Sequence, residues 1–149
     1  MGFSDLVSML ILGRGFVGSY VVNECIKKQI THLATTSNGR EGTLKFLLPG
    51  EDDSIEQFED AIRPLPNADS ILITFPIKGK KVLDRLINSY EKTHEAFTRD
   101  IKVNWILLGT TSVFTKIPSD RTTPPDPTKL PERQEAENRL ISHHKGTVV

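Results

Sequence analysis

Short apolar segments alternate along this chain with longer stretches in which apolar residues recur every three or four positions. Residues 6–12 are apolar with little polar interruption, which is typical of a strand buried on both faces of a parallel sheet. From Phe16 to about Ile30 the apolar positions follow helical spacing. The same patterns predict strands at 6–12, 32–36, 44–48, 70–75 and 103–108, and helices at 16–30, 52–62, 80–98 and 132–144.

The order of these elements predicts the fold class. Strand and helix alternate almost throughout, which favours an α/β domain with a parallel sheet and helices on both faces. With 149 residues, 37% of them hydrophobic, the chain is long enough for one domain with its own core but too short for two. Asp52 or Asp53 is expected to cap the second helix. Residues 146–149 are expected to open a sixth strand.

The turn after the first strand carries a glycine motif. Residues 12–18 read Leu-Gly-Arg-Gly-Phe-Val-Gly, so the spacing G-x-G-x-x-G ends a buried strand and opens a helix. Gly13 permits the tight turn, Gly15 lets a pyrophosphate approach the backbone, and Gly18 lets helix and strand pack closely. The alternative is a glycine-rich turn that only packs. The context favours a dinucleotide site in which the amides at the start of the helix face the phosphates. The predicted site residues are Gly13, Arg14, Gly15, Phe16, Val17 and Gly18.

This site belongs to a Rossmann-type, doubly wound parallel sheet with the expected strand order 3-2-1-4-5 and the sixth strand outermost. In such sheets ligands lie at the carboxyl ends of the strands, near the point where the strand order reverses. Thr74, Phe75 and Pro76 end the fourth strand. We therefore expect these three residues to line the cofactor crevice beside Gly13.

The end of the second strand indicates which dinucleotide would bind. An acidic residue there would bind the ribose 2′-hydroxyl of NAD, but the stretch 35–40 contains none. Its Ser37, Asn38 and Arg40, together with Arg14 in the glycine loop, suit a 2′-phosphate instead. The sequence therefore favours NADP(H), with NAD as the alternative. In the competing interpretation, Ser37 and Asn38 only shape a turn, and Arg40 points into solvent.

The glycine loop, the alternating units and the stretch Leu-Gly-Thr-Thr-Ser-Val-Phe at 108–114 together resemble the NAD(P)-dependent epimerase/dehydratase group of extended short-chain dehydrogenases/reductases. The resemblance covers nearly the whole chain and implies that Thr110 supplies the catalytic hydroxyl. Phe114 stands where the family has Tyr. The family's Tyr-x-x-x-Lys pair falls on Lys129 and Arg133, so neither position matches, as in atypical members that keep the fold and lose the Tyr.

The missing Tyr has a chemical consequence. Hydride transfer at a carbinol requires a proton acceptor near the reacting oxygen, and the family's Tyr serves because a neighbouring Lys lowers its pKa. Thr110 can orient a substrate oxygen but is too weak an acid to replace that Tyr. The resemblance gives Arg133 the role of holding the nicotinamide ribose, although an arginine is a poor proton shuttle. The alternative for Arg133 is a solvated helix charge paired with Glu137.

Charge and composition exclude several classes of binding partner. The 19 basic and 19 acidic residues balance, so the field that draws proteins to nucleic acid or to anionic membranes is missing. No apolar run approaches a membrane-spanning length, and no basic leader precedes the first strand. Cys25 has no partner for an internal disulfide.

Because the chain has no basic leader and no internal disulfide, it is expected to be cytoplasmic. No metal site is expected, because the adjacent His143 and His144 do not share a helix face.

These observations leave three functional hypotheses. The first is an NADP(H)-dependent oxidoreductase, epimerase or dehydratase of atypical type that acts on a small-molecule substrate of unknown identity. The second is a non-catalytic dinucleotide-binding module that senses redox state or assists assembly. The third is a truncated family member, since family chains usually include a later substrate lobe that is absent here. An unfinished sixth strand would leave an open sheet edge, which favours association into homo-oligomers.

Overall fold

The computed structural model describes residues 6–40, 42–109, 128 and 130–149. Strands and helices alternate along these residues as the sequence pattern predicts. The elements are β1 (Leu6–Leu12), α1 (Phe16–Lys27), β2 (His32–Thr36), β3 (Leu44–Lys45), α2 (Ile55–Ile62), β4 (Asn67–Ile73), α3 (Lys80–Thr93), α4 (Glu95–Thr98), β5 (Asn104–Leu107), α5 (Pro131–Ser142) and β6 (Thr147–Val148).

The strands form one parallel sheet. Its order across the described residues is β3-β2-β1-β4-β5-β6, with every neighbouring pair parallel. The predicted fold class and strand order are therefore confirmed, including the sixth strand, which pairs with β5 at Ile106↔Thr147 and Leu107↔Val148. The order reverses between β1 and β4, so the carboxyl ends of β1, β2 and β4 meet beside the glycine loop.

Alternate residues of the central strands face opposite layers of the domain. Leu10 and Leu12 of β1 belong to the larger core, which also contains side chains from α2, α3 and α5. Ile11, between them, belongs to a smaller core that contains Val22 of α1. Because the side chains of a strand alternate in direction, this division places α1 on one face of the sheet and α2, α3 and α5 on the opposite face.

The second helix begins later than predicted, for a local reason. Ser54, rather than Asp52 or Asp53, caps α2, because its side chain accepts a hydrogen bond from the Gln57 amide while the Gln57 side chain accepts one from the Ser54 amide. This reciprocal capping box satisfies two helix N–H groups. The Asp53 carboxylate instead accepts a bond from the Gly50 amide at 2.7 Å, which closes the preceding turn.

Other predicted boundaries also differ from the structure. The predicted helix 80–98 is interrupted at His94, whose ring Nε2 lies 2.6 Å from the Leu65 carbonyl oxygen and is thereby held in the core. Helix α1 ends at Lys27, and Gln29 with φ 56° turns the chain away. The predicted strand 44–48 is reduced to two residues. Smaller shifts of one to three residues occur at β4, β5 and α5.

An ionic cluster joins two of the helices on the larger-core face. The Asp84 carboxylate of α3 lies 3.0 Å from Arg139 of α5 and 2.7 Å from Nε2 of His144, just beyond α5. Burial by itself raises the pKa of Asp84, but these two hydrogen bonds and the charge of Arg139 outweigh it, so the pKa lies below its usual value. The cluster fixes α5 against α3.

Replacing Asp84 with Asn should lower the free energy of unfolding at neutral pH by about 1–2 kcal/mol, because it removes charge-assisted bonds between two helices. The folded-state pKa of Asp84 is depressed, so its contribution is present above the unfolded-state pKa and is lost as the pH falls through the folded-state value. Urea denaturation at neutral and acidic pH measures both effects. Asp60→Asn is the control, since Asp60 is exposed and pairs only with Arg63 of the same turn.

No helix among the described residues is long and apolar enough to cross a membrane.

Candidate functional site

The glycine loop is held by hydroxyl side chains from the two strands beside β1. The Gly13 amide donates to the Thr35 hydroxyl at 3.1 Å, and the Arg14 amide donates to the Thr35 carbonyl at 2.8 Å. From the other side, the Thr74 hydroxyl lies 3.0 Å from the Leu12 carbonyl oxygen and 2.8 Å from that of Gly13. The turn is therefore fixed between the carboxyl ends of β2 and β4.

The three glycines of the motif meet different surroundings. Gly13 has φ 100°, and a Cβ there would overlap the Thr74 hydroxyl. A Cβ on Gly18 would overlap the Gly13 carbonyl oxygen, so this glycine permits the close approach of α1 to the turn. A Cβ on Gly15 would meet nothing within 4 Å. The absence of a side chain at Gly15 therefore leaves open space in front of the helix.

The start of α1 faces this open space without a cap. Gly15 occupies the N-cap position, and no side chain caps the helix. The first-turn N–H groups of a helix have no partner within the helix, and together with the helix dipole they favour an anion. Among the predicted residues of this turn, Val17 is partly exposed and Gly18 is buried. Phe16 is 95% exposed and does not line the cleft described next.

A cleft of about 580 Å³ lies across the carboxyl ends of β1, β2 and β4. It includes most of the residues that the sequence predicts for a cofactor site and several that it does not. Its walls are Gly13, Arg14, Gly15, Thr35, Thr36, Ser37, Asn38, Arg40, Phe46, Leu47, Leu48, Phe75 and Pro76. None of the described residues in these walls is acidic.

Arg40 lies over the glycine loop. Its Nη2 donates to the Arg14 carbonyl at 2.7 Å, and its backbone amide is oriented by the Thr36 hydroxyl and the Asn38 side chain, each at 3.2 Å. Arg40 is an exposed residue whose guanidinium nevertheless has a partner on the loop, and Asn38 does shape the turn. The structure thus places the two cations, Arg14 and Arg40, at one end of the cleft.

Several wall residues escaped the sequence analysis. Phe46, Leu47 and Leu48 form an apolar side of the cleft because β3 ends after two residues, and the chain then crosses the carboxyl edge of the sheet. The signal that the sequence offers is Pro49, which directly follows these residues and cannot continue a strand. Thr74, predicted to line the crevice, lies behind the glycine loop and supports it, whereas Phe75 and Pro76 do reach the cleft.

Arg133 is held at the carboxyl end of β5. Its Nη2 donates to the Leu108 carbonyl at 3.0 Å, and its Nε lies 3.5 Å from the Glu137 carboxylate. Both side chains are largely buried, so Arg133 is not a solvated charge. Burial raises the pKa of Glu137, although the nearby Arg133 opposes that shift. Thr110, Phe114 and Lys129 lie outside the described residues.

Both tyrosines lie away from the cleft. Tyr20 is largely exposed on α1, and Tyr90 is buried with its hydroxyl donating to the Pro66 carbonyl at 2.8 Å, just before the amino end of β4. Burial raises the pKa of Tyr90. In the part of the chain that the structure describes, no three His, Cys, Asp or Glu side chains are grouped so that they could hold a metal ion.

Comparison with known proteins identifies this architecture. No family model matches the chain, and no curated protein matches it. Among solved structures it is similar to a UDP-N-acetylglucosamine 4-epimerase from Bacillus cereus, with TM-score 0.60 and 14% identity over 95% of this chain and 53% of that one. It is also similar to a short-chain dehydrogenase/reductase superfamily protein from Agrobacterium tumefaciens with bound NAD, with TM-score 0.61 and 14% identity over 97% and 48%.

The chain spans about half the length of these solved structures. The similarity establishes the fold, which is a Rossmann-type parallel α/β sheet.

Replacing Gly18 with Ala should destabilise the domain by about 1–3 kcal/mol, because the new Cβ overlaps backbone that cannot move without displacing the turn. Urea denaturation measures the change. Gly50→Ala is the control, since a Cβ there makes only an ordinary contact of 3.7 Å with Asp53. Equal stability of Gly18→Ala and the wild type would show that α1 does not pack closely on the glycine turn.

Proposed function

We propose that this protein binds a nicotinamide dinucleotide in the cleft at the carboxyl edge of the sheet. The observation that carries the proposal is the open space at Gly15 in front of the uncapped start of α1. A pyrophosphate requires backbone amides that no side chain shields, together with a favourable dipole, and this turn offers both.

The residues around the cleft fit such a ligand. The amides of Gly15, Phe16 and Val17 would hold the pyrophosphate, and Ser37 and Asn38 would hold the ribose next to the adenine. Phe75 and Pro76 lead from there toward the β4–β5 side, where the second nucleoside would lie. The nicotinamide, when bound, supplies a hydride donor or acceptor.

The charges at the adenosine end support NADP(H) over NAD as the preferred form. Arg14 and Arg40 lie together there, and no described wall residue is acidic. A guanidinium matches the geometry of a phosphate, whereas the 2′-hydroxyl of NAD is usually bound by a carboxylate. Arg40 already lies across the loop, so little rearrangement is needed to present its charge.

The fold and glycine loop support membership in the epimerase/dehydratase group, with oxidoreductase or epimerase activity on a small molecule. In this proposal Thr110 orients a substrate oxygen, and Arg133 contacts the nicotinamide ribose. The balanced charge argues against nucleic-acid and anionic-membrane partners. The proposed location is the cytoplasm.

A second candidate function is a dinucleotide-binding module without turnover. It is favoured by the positions of the two tyrosines, since Tyr20 lies on α1 and the Tyr90 hydroxyl is bonded below the opposite edge of the sheet. Arg133 stays protonated and is held by the Leu108 carbonyl and by Glu137, so it is no proton donor. Cofactor-dependent turnover of a panel of carbonyl and sugar-nucleotide substrates distinguishes the two candidates.

Replacing Gly15 with Ala should weaken dinucleotide binding at least about tenfold, because the methyl group prevents a charge-assisted bond worth about 1.5–3 kcal/mol. Stability should fall by at most about 1 kcal/mol, the difference between Gly and Ala at an N-cap. Isothermal titration with NADPH and NADH, alongside urea denaturation, separates the two effects. Unchanged affinity in a folded variant, or no binding to the wild type, would refute the proposed site.

Replacing Arg40 with Ala should reduce NADPH affinity selectively, by about 1.5–3 kcal/mol, because the 2′-phosphate loses a charge-assisted bond that NADH never makes. Titration of both cofactors into both proteins measures the selectivity. Arg63→Ala, which removes an exposed cation on the distant end of α2, is the matched control. Equal losses for the two cofactors would contradict the NADP preference and leave the dinucleotide site itself intact.

A further inference from the structure

A second cavity opens at the carboxyl edge beside the dinucleotide cleft. Its volume is about 420 Å³, and it shares the wall residue Pro76 with the first cleft. Its lining is mostly apolar but carries charged side chains. The described residues that line it are Pro76, Lys78, Leu130, Pro131, Glu132 and Arg133.

Hydrogen bonds between the two walls hold this cavity in shape. The Gly79 amide donates to the Glu132 carbonyl at 2.9 Å, and the Lys80 amide donates to the Glu135 carboxylate at 2.9 Å. These bonds join the loop after β4 to the first turns of α5. Arg133 in turn ties α5 to the end of β5 through the Leu108 carbonyl. The described walls of the cavity are therefore joined to each other by hydrogen bonds.

Two residues that line the cavity reduce the local stability of α5. Leu130, the N-cap of α5, has φ 46° and ψ 56°, a left-handed conformation that is costly for a residue with a branched side chain. Arg133 places a cation in the first turn of α5, where the helix dipole favours an anion. Departures of this kind tend to cluster at functional sites, and both border the same cavity.

The charged residues of the lining are two cations, Lys78 and Arg133, and one carboxylate, Glu132. The Glu132 carboxylate lies in the first turn of α5, where the helix dipole stabilises it, and the two cations favour an anionic ligand. Arg133 has N–H groups beyond those used by Leu108 and Glu137, since a guanidinium carries five. No described residue forms an ion pair with Lys78. One wall thus carries the Lys78 ammonium, which has no ion-pair partner among the described residues, and the other carries the Arg133 guanidinium.

We infer that this cavity binds the substrate, and that the substrate is a small organic anion with an apolar body and a carboxylate or phosphate head. The head would contact Lys78 and an N–H group of Arg133 other than the one that contacts the nicotinamide ribose. The body would pack on Pro76, Leu130 and Pro131. This inference rests on the proposed dinucleotide site, because the shared wall at Pro76 would place the substrate next to the nicotinamide.

The test uses benzoate and phenyl phosphate as probes and benzyl alcohol as the neutral analogue. Amide shifts of the ¹⁵N-labelled full chain are followed without and with NADPH. The two anions should give saturable shifts at Lys78, Gly79, Leu130 and Arg133, and benzyl alcohol should bind much more weakly. Comparing the two anions shows whether the head is a carboxylate or a phosphate. Lys78→Gln should weaken anion binding about three- to fivefold, the scale for an exposed charge pair.

Lys81→Gln removes a neighbouring cation that does not line this cavity and is the matched control. Equal weakening by Lys81→Gln, equal binding of benzyl alcohol, or no saturable shift at millimolar anion would overturn the inference. Failure of the dinucleotide proposal has a different signature, because NADPH would then give no shifts at Gly15 or Ser37 whether or not the anions bind.

Discussion

The glycine turn between β1 and α1 depends on two threonine hydroxyls from the strands beside it. Thr35 accepts a bond from the Gly13 amide, and Thr74 donates toward the Leu12 and Gly13 carbonyls. These bonds use the polar groups at the start of the turn and leave the amides at the start of α1 facing outward. Because Gly13 and Gly18 leave no room for a Cβ, the turn has one packing arrangement. The position of the cleft follows from it.

The loop after β4 gives the two cavities a common wall. Phe75 and Pro76 face the dinucleotide cleft, and Pro76 and Lys78 face the second cavity. The loop is bonded to α5 at Gly79 and Lys80, and α5 is bonded to α3 through Asp84. Helix α5 therefore supports the carboxyl edge from outside the sheet. A cofactor in the first cleft and a small substrate in the second cavity would lie next to each other, separated by Pro76.

The sequence pattern predicted the elements and their order well and their ends less well. Periodicity identifies a buried strand or an amphipathic helix because burial repeats along the element itself. An end depends on competing local bonds, as at Ser54, whose capping box with Gln57 excluded Asp52 and Asp53. At His94 the helix is interrupted because the ring reaches the Leu65 carbonyl, a partner 29 positions away that no local pattern reveals.

The chain by itself determined the strand–helix alternation and the glycine spacing, because these follow from local periodicity and from the steric limits of one turn. The sheet order could be predicted because the glycine turn indicates a Rossmann-type sheet. Only the tertiary structure decided what the charged side chains contact. It placed Arg40 on the Arg14 carbonyl, set Arg133 between the Leu108 carbonyl and Glu137, and added Phe46 to the cleft wall. Such contacts join residues that are distant in sequence, and they exist only once the strand ends are assembled at one edge.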